Sequence, residues 1–286
     1  MIFPTRPAPP PADRAPAGIP RILHQIWIGP APLPARWAAF AARLRALHPA
    51  WEYRLWGDAE AAALLAAGPD WARALYAAWD NPGFRSDLLR LLVLQRCGGV
   101  YLDTDCEPVR ALDPLLAGRG AFLGATFAPQ PIREVLVENA VLAAAPGHPF
   151  VSLVLARVRD ACALVTAGDF AAGRPDVVFL SGPARLSRTL MEWRADEASV
   201  AGDVSVLPPE AFYPVVPGGP SAGPRAPASP AEFPGTFLVH WWDGSWVRQQ
   251  EAQRAGSASA APPPSAPLYC GRPAYGRYPT RLGGQP

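Results

Sequence analysis

The sequence predicts an α/β protein whose central, mostly parallel sheet is flanked by helices. Short apolar runs alternate with segments of helical periodicity, which is the pattern of βαβ units. One run, "VYLD" at 100–103, is too short and too apolar for a half-exposed strand, so we place it centrally in a parallel sheet. With 286 residues, 50% of them hydrophobic, the chain is long enough to bury a substantial core.

The first half of the chain supplies strands and helices in turn. Strands are predicted at 21–28 and 51–56, with a helix over 34–47 between them and two short alanine-rich helices near 58–79. The helix that precedes "VYLD" has signals at both ends. Asn81 is a favoured N-cap residue followed by a proline, and the pair of glycines after Cys97 ends the helix.

The second half repeats the alternation with longer connections. Strands are predicted at "AFLGAT", near 204–207 and near 237–241. Helices are predicted from about 148 to 166 and at "PARLSRTLMEW".

The ends of the chain differ in composition from its middle. Residues 1–18 are predicted to be a flexible proline-rich arm and residues 253–286 a low-complexity tail, which leaves 19–252 as one folded domain. A net charge of +2 gives no reason to expect a nucleic-acid partner. Since no apolar stretch of signal-peptide or membrane-span length is present, we expect a cytoplasmic location.

Two aspartates follow the "VYLD" strand, in the stretch "GGVYLDTDCEP". Asp103 and Asp105 are two residues apart, and in an extended backbone such residues point to the same face. They would project beyond the carboxyl end of the strand, where open α/β sheets bind ligands. Two carboxylates there suit Mg²⁺ or Mn²⁺. The alternative is a turn in which both aspartates cap backbone amides.

The helix before this strand carries a charged pair on an otherwise apolar surface. Asp87 and Arg90 are spaced i, i+3 and share a face. One interpretation is a weak surface ion pair. The other is a buried pair near the mouth of the sheet that contacts sugar hydroxyls, which need both a donor and an acceptor.

Four blocks, in order, resemble a known family. These are "IPRILHQIWIG", "FRSDLLRLLVLQRCGGVYLDTD", "LPPEAFYPV" and "LVHWWDGSW". Together they are similar to the DXD-containing glycosyltransferases of family 32, which include Och1-like mannosyltransferases and α1,4-galactosyltransferases and are related to the clostridial glucosylating toxins. The resemblance implies a GT-A fold with a Rossmann-like sheet, a UDP- or GDP-hexose donor, Mn²⁺ or Mg²⁺ as cofactor, and retention of anomeric configuration.

The resemblance also implies roles for residues in the first two blocks. Asp105 would bind the metal directly, and Asp103 would contact the ribose and reach the metal directly or through water. Asp87 and Arg90 would contact the donor sugar. Trp27 would stack on the nucleotide base, although packing in the core is an alternative for this ring.

The last block and one further segment supply the remaining candidates. "VHWWDGSW" would close over the diphosphate, with His240 or Asp243 as a further metal ligand. Ser245 would bind the donor, and Trp246 would donate its indole N–H to the leaving phosphate oxygen. "VENAVLAAAPGHPF" resembles the segment that contributes an asparagine to the sugar pocket, which implies Asn139 as a catalytic-site residue.

These inferences predict a metal-dependent, retaining hexosyltransferase in polysaccharide or glycolipid synthesis. The acceptor would be a glycan or a lipid-linked glycan, and a lipid acceptor would bring the enzyme to the inner membrane face as a peripheral protein. Because no convincing nucleophile is evident in the sequence, we expect the acceptor to attack on the face that the leaving phosphate occupies.

Three other functions fit parts of the sequence. An apolar run before "DTDCE" resembles the first motif of haloacid-dehalogenase phosphatases, but Glu107 stands where that motif has Thr or Val, and the chain has no lysine. A non-catalytic carbohydrate-binding protein would not need the complete set of charged residues described above. A toxin-like effector that glycosylates a host protein would need a separate delivery system.

Overall fold

The computed structural model describes residues 18–126, 136–165, 177–195, 204–215 and 227–244. The predicted arm, the predicted tail and two site candidates, Ser245 and Trp246, lie outside the described residues. Among the described helices, none combines the length and apolar character needed to cross a membrane.

Helices and strands alternate through the described residues. The helices are α1 (Ala35–Leu47), α2 (Asp58–Ala66), α3 (Asp70–Ala78), α4 (Pro82–Cys97), α5 (Asp113–Leu116), α6 (Pro149–Ala163), α7 (Val177–Leu180) and α8 (Pro183–Ala195), with a 3-10 turn at Pro209–Ala211. The strands are β1 (Ile22–Ile26), β2 (Glu52–Trp56), β3 (Gly99–Leu102), β4 (Cys106–Pro108), β5 (Ala121–Ala125), β6 (Val137–Ala144), β7 (Val204–Leu207) and β8 (Leu238–His240).

The central sheet has the order β2-β1-β3-β6-β5-β7. β2, β1 and β3 are mutually parallel neighbours, β5 and β7 are parallel to each other, and β6 runs against both of the strands beside it. One reversed strand among six leaves the sheet mostly parallel. The predicted α/β class with flanking helices is therefore confirmed.

Local sequence signals account for most of these elements. The Asn81 side chain accepts a hydrogen bond of 3.1 Å from the amide of Phe84, as an N-cap does. Gly98 ends α4 with φ +63°, and a Cβ there would lie 2.6 Å from the ring of Pro146, so only glycine fits. Each predicted strand and helix is present, with bounds shifted by a few residues. β4 and β6 were not predicted as strands.

The sheet separates two apolar layers. On one side α4, α6 and α8 pack with the sheet around residues such as Phe84, Leu88 and Val154, which are 0–1% exposed. On the other side Leu102, Phe122 and Phe212 lie in a second cluster, each fully buried. Both faces of the sheet are therefore covered, and in open α/β sheets of this kind ligands bind beyond the carboxyl ends of the strands.

A small second sheet connects the aspartate segment to the end of the described chain. β4 follows Asp105 directly and pairs antiparallel with β8, which places Cys106 opposite His240. The buried carboxylate of Glu107 accepts hydrogen bonds from the indole N–H of Trp241 (2.9 Å) and the amide of Ala228 (2.7 Å). Residues more than 130 positions apart in the sequence therefore meet at one place, as Glu107 and Trp241 do.

Candidate donor and metal site

A cleft of about 690 Å³ opens at one edge of the central sheet. The carboxyl ends of β1 and β3 meet the amino end of the reversed strand β6 at this edge. The segment after β8 lies against the same edge through the small second sheet. Predicted site residues that line the cleft are Trp27, Asp87, Arg90, Asp103, Asp105, Asn139, His240 and Asp243.

Asp103, Asp105 and His240 form a compact cluster in this cleft. Each offers one ligand atom, and these atoms lie within 4.8 Å of one another. The Nε2 of His240 is 3.3 Å from Asp105 and 4.0 Å from Asp103. Two carboxylate oxygens and one imidazole nitrogen are a donor set that suits Mn²⁺.

The two aspartates come together through a turn rather than along an extended strand. β3 ends at Leu102, and the amide of Cys106 donates to the carbonyl of Asp103 at 3.1 Å, which closes the turn. Our expectation that both lie on one face of an extended backbone is therefore wrong in its geometry. Both side chains nevertheless line the cleft. The pairing of β4 with β8 then places His240 beside them.

The three members of the cluster shift one another's pKa values. Burial raises the pKa of Asp103, although Arg90 opposes the rise, and Asp105 adds a like charge. Burial also acts to raise the pKa of Asp105, but the adjacent His240 outweighs it and lowers that pKa. Burial alone would lower the pKa of His240, whereas the Asp105 carboxylate raises it. A divalent cation would offset the repulsion between the carboxylates, so these residues fit a metal site.

His240 and Asp243 are both placed beside Asp105, in different ways. The imidazole of His240 belongs to the cluster, while Asp243 donates its backbone amide to Asp105 Oδ2 at 2.8 Å. Trp242, between them, has φ 55°, an uncommon conformation for a bulky residue, and this turns the chain. Of the two alternatives, the geometry favours His240 as the side-chain ligand.

Arg90 is the buried cation that connects the metal cluster to the rest of the cleft. Its guanidinium is 3.1 Å from Asp87 and 3.3 Å from Asp103, and it donates to the carbonyl of Asn139 at 2.6 Å. The guanidinium also lies over the ring of Tyr101, 4.6 Å from its centroid. The surface interpretation of the Asp87–Arg90 pair is therefore wrong, since both side chains are 7% exposed.

Asp87 and Asn139 form the part of the cleft that lies beyond Arg90. Asn139 donates its side-chain amide to Asp87 Oδ1 at 2.8 Å, and Ser181 donates its hydroxyl to Oδ2 at 2.8 Å. Burial raises the pKa of Asp87 to about 6, against the opposing effect of Arg90. The carboxylate is thus oriented from several sides at a position where a sugar hydroxyl could bind.

Trp27 also lines the cleft and is half-buried. Its indole N–H donates to the carbonyl of Ala31 at 2.7 Å, and its ring meets Trp37 edge-to-face at 5.3 Å. Both interpretations of this residue therefore have a basis, because the ring packs in a small apolar cluster and also lines the cleft. Its stacking on a base stays a prediction.

Two residues of the site were missed by our sequence reasoning. The hydroxyl of Tyr101 donates to Asp103 Oδ1 at 2.6 Å, and the available signal was its position two residues before Asp103 in the sequence. Glu138 lines the cleft next to Asn139. Burial raises the pKa of Glu138 to about 7, opposed by His240. Adjacency to Asn139 was the only sequence signal for it.

The raised pKa of Glu138 predicts a pH-dependent stability. The folded protein binds the proton more tightly than the unfolded chain, so the stability is fully present below about pH 4.5 and is lost as the pH rises through about 7. Raising the pH from 5 to 8 should therefore lower the unfolding free energy of the wild type by about 1 kcal/mol more than that of Glu138→Gln, after allowance for solvent screening. Urea unfolding in EDTA at both values measures this difference.

The exposed Glu210 provides the matched control for this experiment. Glu210→Gln should leave the difference between the two pH values unchanged. If Glu138→Gln behaved in the same way, the carboxyl of Glu138 would have an ordinary pKa.

Comparison with known proteins finds a family model that matches part of the chain. Residues 34–121, which run from the start of α1 to the start of β5 and include the aspartate pair, match the family model "Glycosyltransferase sugar-binding region containing DXD motif". The match covers less than half of the chain, and the matched model describes the same DXD-containing type of protein that the sequence blocks resemble. The resemblance noted from the sequence is confirmed over these residues.

Two yeast proteins are among the relatives of this chain. Inositol phosphoceramide mannosyltransferase 3 of Schizosaccharomyces pombe is 29% identical over 200 residues, which cover 68% of this chain and 52% of the relative. Mannosyl phosphorylinositol ceramide synthase SUR1 of Saccharomyces cerevisiae is 35% identical over 141 residues, which cover 49% of this chain and 35% of the relative. The chain thus spans about half or less of the length of these relatives.

Among solved structures, the PaToxG glycosyltransferase superposes with a TM-score of 0.47 at 19% identity. The superposition covers 62% of this chain and 70% of the other.

Proposed function

We propose that this protein is a metal-dependent, retaining glycosyltransferase that moves a hexose from a nucleotide-sugar donor to a glycan or glycolipid acceptor. One observation carries the proposal. The buried Arg90 contacts both Asp87 and Asp103, and Asp103 belongs to the cluster with Asp105 and His240. One end of this arrangement suits a cation, and the other presents hydrogen-bonding groups to a sugar.

Each part of the cleft then has a task. Asp103, Asp105 and His240 would hold Mn²⁺ or Mg²⁺, which when bound would stabilise the negative charge that develops on the leaving diphosphate. Asp87 would accept hydrogen bonds from sugar hydroxyls, and Arg90 would keep that carboxylate ionised. Trp27 would stack on the nucleotide base.

We further infer a lipid-linked acceptor and mannose as the first donor sugar to test. Both named relatives carry names that refer to mannosyl transfer to inositol phosphoceramide. An acceptor of this chemistry would require the protein to work at a membrane surface, on the side where the nucleotide sugar is present.

The acceptor is proposed to attack on the face from which the diphosphate leaves. The alternative, double displacement, needs a carboxylate nucleophile, and Glu138 and Asp87 are two buried candidates that line the cleft outside the Asp103–Asp105–His240 cluster. Mass spectrometry of a trapped reaction tests this: a glycosylated peptide containing either residue would establish double displacement instead.

A donor panel tests the proposed function directly. The purified protein is mixed with GDP-mannose, UDP-galactose or UDP-glucose, with Mn²⁺, with Mg²⁺ and with EDTA, and nucleoside diphosphate release is measured. We expect one donor to turn over only when metal is present, and faster when a ceramide glycolipid is added. No release from any donor, with or without acceptor, would contradict the proposal.

A further inference from the structure

The Ser-Gly-Pro turn between α7 and α8 places a buried hydroxyl behind the sugar end of the cleft. Ser181 is 3% exposed, and its Oγ lies 2.8 Å from Asp87 Oδ2. Its neighbours Gly182 and Pro183 line the cleft, whereas Ser181 does not. The hydroxyl therefore reaches the site through Asp87 and has no direct access to a ligand.

The turn itself is fixed by its sequence. The amides of Ser181 and Gly182 both donate to the carbonyl of Val177, at 3.0 and 2.9 Å. A Cβ at Gly182 would lie 2.9 Å from the Cα of Val178, so no larger residue fits without a shift of the backbone. Pro183 then begins α8, where a missing amide proton costs nothing. Ser181 is thus held in place by the backbone on both sides.

The two oxygens of Asp87 are held by different elements of the fold. Oδ1 accepts from Asn139 of β6 at 2.8 Å and lies 3.1 Å from Arg90 on its own helix. Oδ2 accepts from Ser181. Without the serine hydroxyl, the carboxylate could rotate about its last torsion, which is broad for aspartate. The oxygen offered to a sugar would then lose its fixed direction.

We propose that Ser181 is a positioning residue that fixes the Asp87 carboxylate for recognition of the donor sugar. This inference rests on the proposed function, in which Asp87 accepts a hydrogen bond from a sugar hydroxyl. It assigns a role in donor specificity to α7 and α8, which contribute no charged group to the cluster around the metal.

Kinetics of three variants test the assignment, with the donor that the panel selects among GDP-mannose, UDP-galactose and UDP-glucose. Ser181→Ala should lower kcat/KM for the donor about tenfold, mainly through a higher KM, because a hydrogen bond to a charged group is lost. The KM for the acceptor should not change. Ser181→Thr keeps the hydroxyl and should stay within about threefold of the wild type. If the extra methyl prevents folding, Ser181→Cys should give an intermediate loss.

Thr189→Val is the control for a purely structural effect. Thr189 is 1% exposed on α8, the helix that follows the turn, and its hydroxyl donates to the carbonyl of Arg185 at 2.8 Å. This variant should keep the donor KM of the wild type even if its melting temperature falls. A Ser181→Ala enzyme with unchanged donor kinetics would overturn the inference while leaving the proposed function intact. A wild type inactive with every donor would contradict the proposed function instead.

Discussion

Asp105→Asn is expected to lower metal-dependent turnover by about 10³-fold while leaving the fold intact. Asp105 is the most central member of the cluster, 3.3 Å from His240 and held by the amide of Asp243 at 2.8 Å. The asparagine carbonyl oxygen can still accept that amide, so the local backbone should persist. What is lost is the negative charge, and a neutral amide is a poor ligand for a hard cation.

The experiment needs three measurements on the same protein preparation. Circular dichroism checks the fold, calorimetric titration with Mn²⁺ measures metal affinity, and nucleoside diphosphate release measures turnover. Asp70→Asn is the matched control, because the Asp70 side chain is 92% exposed on α3. Full Mn²⁺-dependent turnover in Asp105→Asn would show that the cation, if one is used, binds elsewhere.

The sequence predicted the elements whose signals are local. A capping asparagine, a terminal glycine pair and an apolar run each act within a few residues, and α4 and β3 begin and end where these signals lie. β6 was missed because its pairing is decided by distant residues. It lies between β3 and β5, antiparallel to both, and no signal within "VENAVLAA" specifies those partners.

The same distinction explains which site residues were predicted. Asp87 and Arg90 are three positions apart, so helical periodicity alone placed them on one face. Asp103 and Asp105 are two positions apart in the sequence, but a turn and not the strand periodicity brings their side chains together. The contact from Ser181 to Asp87 spans 94 residues and depends on how α7 packs. His240 was reached through the resemblance, since nothing in its local sequence refers to a carboxylate 135 residues earlier. Contacts between residues so far apart depend on how the strands and helices are arranged in the fold, and local sequence patterns do not specify that arrangement.

Arg90→Met is expected to cost about 3–5 kcal/mol of unfolding free energy and to abolish turnover. Methionine keeps an unbranched apolar side chain at this position but carries no charge. The variant therefore mainly removes the positive charge that balances the two buried carboxylates. Asp87 and Asp103 would both lose the guanidinium that lies 3.1 and 3.3 Å away. Their burial already raises the pKa of each, and Arg90 is the main group that opposes the rise. In the variant both carboxyls should bind protons more readily.

The sign of the pH dependence follows from that change. Carboxyls whose folded pKa is raised stabilise the protein below their unfolded pKa, and this stability is lost as the pH rises through the folded value. The defect of Arg90→Met should therefore be larger at pH 8 than at pH 5, as urea unfolding in EDTA would measure. Arg96→Met, at an exposed position on the same helix, is the control and should change stability by less than about 0.5 kcal/mol. An equal defect at both pH values would indicate that Arg90 acts through packing against Tyr101 rather than through its charge, because packing energy does not depend on protonation.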